Sequence, residues 1–151
     1  MIRLRLVPML FAALAMASLA QAHDDATLDA TVAPNGGQLR MAGIYHYELL
    51  VAPAGKAARA APVIVYVTDH AGAKVPTAGA TGTATLLSGA KKTIVTLAPD
   101  RDNRMKGDAD YQSAPDMKVI VSISFAGKPA EAARFLPMAR PINAGPNMRH
   151  P

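Results

Sequence analysis

The chain predicts an all-β fold, an immunoglobulin-like β-sandwich of about seven strands. Short runs rich in β-branched and aromatic residues recur between Leu39 and Leu136, each bounded by Gly, Pro, Asp or Asn. Alternation with period two is plain where Met117, Val119, Val121, Ile123 and Phe125 fall on one face and Lys118, Ser122 and Ser124 on the other. No stretch carries a convincing amphipathic helical repeat, and turn signals at short intervals suit a sandwich.

Taken in order, residues 1–22 read as an export signal. Arg3 and Arg5 give a basic start, Pro8 to Ala20 is apolar, and Ala20-Gln21-Ala22 is a small-x-small cleavage site. Neither that run nor any later one approaches the roughly 20 apolar residues of a spanning helix, so no membrane span is expected in the mature chain. A periplasmic protein is expected. Residues 23–33 form a polar, acidic N-terminal arm, residues 34–136 the sandwich domain, and residues 137–151 a proline-rich tail.

The expected strands are Gly37–Met41, Ile44–Val51, Val63–Thr68, Thr81–Ser88, Lys92–Leu97, Met117–Phe125 and Ala130–Leu136. Ser88-Gly89-Ala90-Lys91 and Ala126-Gly127-Lys128-Pro129 are hairpin-like links. Val51 to Pro62, rich in Ala and bracketed by prolines, reads as a loop. Pro99 to Gly107 reads as a second, turn-rich loop with Met105 plugging the end of the sandwich.

Composition removes several function classes. The absence of cysteine rules out thiolate metal sites, CxxC redox chemistry and a Cys nucleophile. Outside the signal there are 14 Lys and Arg against 11 Asp and Glu, a net of +3, too small and scattered for a nucleic-acid partner. GxSxG, HExxH and Walker patterns are missing, so no enzyme is expected. Asp100, Asp102, Asn103, Asp108 and Asp110 offer oxygen ligands. They lack the closing Glu of a calcium loop, and Arg101, Arg104 and Lys106 lie among them.

Histidine carries the remaining chemistry. In Ile44–Val51 a strand puts Tyr45, Tyr47 and Leu49 on the core side and His46 with Glu48 on the other, about two strand rises or ~6.5–7 Å apart. An imidazole and a carboxylate so placed can converge on one cation, zinc by their type, or copper with further His or Met. The same pattern also fits a solvated pair beside a core strand. His70, in the Asp69-His70-Ala71-Gly72 turn, is a candidate third ligand. So is His23, which cleavage after Ala22 would make the first residue, with an α-amino nitrogen beside its imidazole as in the histidine brace of copper enzymes and carriers. Met41, Met105, Met117, Met138 and Met148 are the soft ligands outside the signal.

Asn35-Gly36-Gly37, Tyr45-His46-Tyr47-Glu48-Leu49-Leu50-Val51, Val65-Tyr66-Val67-Thr68-Asp69 and Gly79-Ala80-Thr81-Gly82 together carry a family resemblance. Leu97-Ala98-Pro99, Asn103-Arg104-Met105 and Met117-Lys118-Val119 extend it across residues 34–136. The pattern resembles small periplasmic proteins and adaptor N-terminal domains associated with heavy-metal efflux systems of the resistance-nodulation-division class. Their motif opens His-Gly-Gly, continues Tyr-His-x-Glu-Leu-Val, and is followed by a strand ending in Asp. The resemblance implies copper or zinc handling beside an envelope efflux component, with His46 and Glu48 as ligands, and the residues themselves offer His23 or His70 as a third. The motif's opening His is Asn35 here, which removes one ligand. A metal-free interaction module of the cell envelope is the alternative, and a brace-type copper enzyme the third reading.

Overall fold

A computed structural model describes residues 25–139. The signal, His23, His150 and all but the first residues of the proline-rich tail lie outside them. A short helix, α1 (Asp25–Asp29), is followed by eight strands: β1 (Gln38–Ala42), β2 (Tyr45–Leu50), β3 (Arg59–Asp69), β4 (Thr81–Ser88), β5 (Lys91–Arg101), β6 (Arg104–Tyr111), β7 (Lys118–Ser124) and β8 (Glu131–Phe135). The all-β class holds, with eight strands where seven were expected.

All eight pair antiparallel in one sheet of order β1-β2-β3-β6-β5-β4-β7-β8. The sheet is folded on itself about β5. Its first part, up to Leu97, pairs with β4, while Ala98 to Arg101 pairs with β6, with a register irregularity between Pro99 and Arg101. Such an irregularity bends a strand and lets it serve two layers. The layers face each other across Tyr47, Leu49, Val65, Val67, Leu86, Val121, Ile123 and Phe135, all fully buried. At the far side β1 approaches β8, and the Leu136 N–H donates to Gln38 Oε1 at 2.8 Å, so the sheet is nearly a closed barrel.

Two segments read as loops are strand. Residues 104–111 alternate Arg104, Lys106, Asp108 and Asp110 outward with Met105, Gly107, Ala109 and Tyr111 inward, and Met105 is core rather than an end plug. Gly107 is required there, because a Cβ would collide with the Thr96 carbonyl. The acids beside this hairpin are taken up by cations: Asp100 by Arg104, Asp102 by Lys74 at 3.2 Å and Asp108 by Lys106 at 3.2 Å.

The second segment is Arg59 to Pro62, the start of β3. Pro62 is tolerated because β2 ends with Leu50 opposite Ile64, leaving that edge of β3 without a strand to donate to. The Tyr111 hydroxyl holds the connection, donating to the Pro62 carbonyl and accepting from the Ala52 N–H, both at 2.8 Å.

Within the expected N-terminal arm the described residues begin with a helix and not an edge strand. Leu28 of α1 is buried, and Asp29 forms an ion pair with the buried Arg40 of β1 at 2.7 Å. Residues 30–37 then cross the outer face of β1 and β2.

Candidate functional site

The β1-β2-β3 layer has an inner face in the core and an outer face carrying Leu39 and Met41, His46 and Glu48, and Tyr66 and Thr68. Register fixes these neighbours: His46 lies opposite Thr68 on β3 and Met41 on β1, while Glu48 lies opposite Tyr66 and Leu39. Strand alternation therefore places His46 and Glu48 on one face, as their spacing predicts.

Their environments differ. Glu48 is only 3% exposed, unlike the carboxylate of a solvated pair. Its Oε1 accepts the N–H groups of Asn35 at 2.8 Å and Gly37 at 2.9 Å, and its Oε2 accepts Asn35 Nδ2 at 2.8 Å. The carboxylate thus clasps the Pro34–Gly37 turn onto β2. Gly37 fits under this clasp because it lacks a side chain, since a Cβ would meet the Leu49 carbonyl at 2.5 Å. Three of the roughly four lone-pair sites of the carboxylate are thereby taken, two on Oε1 and one on Oε2.

His70 joins His46 instead. Asp69 ends β3 and folds the chain back: its Oδ1 accepts the N–H groups of Ala71 at 2.9 Å and Ala73 at 2.8 Å, and its own N–H donates to the Ala73 carbonyl at 2.9 Å. This Asp-initiated turn lays the His70 ring on that of His46, with centroids 4.9 Å apart and planes inclined by 27°. His46 is half-buried and His70 exposed, so the pair opens to solvent on one side.

Around them is a cleft of about 510 Å³. Its floor includes His46, Glu48, Tyr66 and Thr68, one wall is the Thr31–Asn35 crossing, and the other is the 70–74 turn with Asn103. That second wall is anchored by Asn103, whose Nδ2 donates to the Val67 carbonyl at 2.9 Å. Arg104 sits 6.0 Å from the Tyr66 ring, and hydrogen bonding to the Tyr66 hydroxyl and then to Asp100 raises its pKa, keeping it cationic.

Of the four candidates, the structure brings three, His46, Glu48 and His70, to one cleft, with Glu48 engaged in the turn. His23 lies outside the described residues. Among the described residues, no three of His, Cys, Asp or Glu gather closely enough to hold an ion unaided. Sequence reasoning missed Tyr66, Asn103 and the Thr31–Asn35 wall. The outward parity of Tyr66 and Thr68 was the one available signal, and it needed the β2–β3 register to be useful.

No family model matches the chain, and neither a curated protein nor a solved structure shows significant similarity to it. Among the described residues no helix is long and apolar enough to cross a membrane.

Proposed function

We propose that the protein is a periplasmic copper- or zinc-handling protein, accessory to heavy-metal efflux or resistance, that binds an ion and passes it on without turnover. The observation that carries this reading is the stacked His46–His70 pair lining a cleft. Metal–imidazole bonds of about 2.0–2.1 Å place two nitrogens on one ion roughly 3–4 Å apart. Modest rotation out of a 4.9 Å stack reaches that separation.

Glu48 has a positioning part in this reading, fixing the turn that walls the cleft, and His23 is a further candidate nitrogen donor. Protons compete with the metal for both imidazoles, so affinity falls on acidification.

Isothermal titration with Cu(II), with Cu(I) under reducing conditions and with Zn(II) tests the proposal against His46→Ala and His70→Ala. One-to-one binding tighter than about micromolar, lost in both variants, is expected. Absence of saturable binding, or binding indifferent to both substitutions, would overturn it.

A second reading, the metal-free envelope interaction module, is favoured by one observation. The outer face of β4, β5, β7 and β8 exposes Ile94 and Ile120 beside Lys92, Lys118 and Arg134. Under that reading Ile94→Asp would abolish partner binding while His46→Ala would not.

A further inference from the structure

The His46–His70 pair leaves open which ion it takes, and the register of β1 on β2 speaks to that. Met41 is the residue directly opposite His46. Both are outward by strand parity, since their neighbours Ala42 and Tyr45 are a buried inward pair. Directly opposed residues on one face have Cβ atoms about 4.5–5.5 Å apart. A methionine's three rotatable side-chain bonds let its sulfur cover that distance to a shared ion. His46 is thus flanked by a thioether from β1 and an imidazole from the turn after β3.

Resting on the metal-handling reading, we infer that Met41 is the third donor and that the site is selective for Cu(I) over Zn(II). Two arguments agree. Thioether sulfur is a soft donor that selects Cu(I), whereas imidazole accepts copper and zinc alike. The donor set is also uncharged: among the described residues lining the cleft, Glu48 is the one carboxylate, and three N–H donors occupy it. With neutral donors, a monovalent ion is left with less uncompensated charge than a divalent one.

Met41 is half-buried, so Met41→Leu keeps its bulk and removes only the sulfur. Cu(I) affinity is read by competition with a chromogenic Cu(I) chelator under anaerobic reducing conditions, Zn(II) affinity by calorimetry, and sulfur ligation by copper-edge X-ray absorption. The wild-type protein is expected to bind Cu(I) more tightly than Zn(II) and to show one sulfur scatterer. Met41→Leu should weaken Cu(I) by about tenfold or more and leave Zn(II) within about twofold, with no sulfur signal. Unchanged Cu(I) affinity in Met41→Leu, equal loss for both ions, or tighter binding of Zn(II) than Cu(I) by wild type would each overturn the inference. If His46→Ala still abolished binding in those cases, the metal reading would stand alone. Binding of neither ion by the wild-type protein would remove both.

Discussion

Glu48 shows how spacing can place a side chain on its face and leave its packing hidden. Its face follows from counting by two from His46, yet its burial depends on the Pro34–Gly37 turn, whose approach no local pattern announces. Removing the carboxylate strands two backbone N–H groups in a part-buried site, and each unsatisfied donor costs about 1–3 kcal/mol. Glu48→Ala should therefore lower stability by about 2–4 kcal/mol. Urea unfolding would show the midpoint fall, and an unchanged midpoint would mean the clasp contributes nothing. Tyr111 has a similar part in the 52–62 connection: desolvation in the interior raises its pKa, and its hydroxyl serves two backbone groups. Tyr111→Phe should cost about 1–3 kcal/mol and speed amide exchange at Ala52.

At the scale of elements, β7 was legible because its inward residues are Val and Ile, and β6 was hidden because two of its inward residues are Gly107 and Ala109. A strand that passes close to a neighbouring backbone needs small side chains, and these weaken the apolar half of the alternation. Gly107→Val should consequently prevent folding, which a soluble-expression and circular-dichroism comparison would reveal. The docking of α1 has its own pH dependence. The hydrogen bond from Arg40 lowers the Asp29 pKa from an ordinary 3.8, outweighing the opposing effect of burial. The stabilisation is complete above that ordinary value and is lost as pH falls through the lower folded value. Amide protection at Leu28 should persist to mildly acidic pH and vanish only under strong acid, whereas Arg40→Ala should abolish it at neutral pH. Protection lost already near pH 5 would contradict the assignment.

For the whole molecule, strand number and class came within reach of the sequence, but closure did not. The fold of the sheet about β5 and the β1–β8 approach depend on pairings between distant segments, and the meeting of His46 with His70 depends on them too. The Asp69-His70-Ala71-Gly72 turn was visible as a turn. Only the β2–β3 register shows that it delivers a second imidazole to the first. The structure keeps His46 and His70 as a pair and gives Glu48 a structural partner in the Asn35 turn.

The central claim is that His46 and His70 take one ion together. Long-range ¹H–¹⁵N spectra of the imidazole side chains during titration with Cu(I) and Zn(II) test it most directly, because they report each ring nitrogen separately. The account predicts that a nitrogen of each ring moves into the metal-bound range in the same titration step, reaching its endpoint at one equivalent. A shift at only one ring, or separate endpoints for the two, would contradict it.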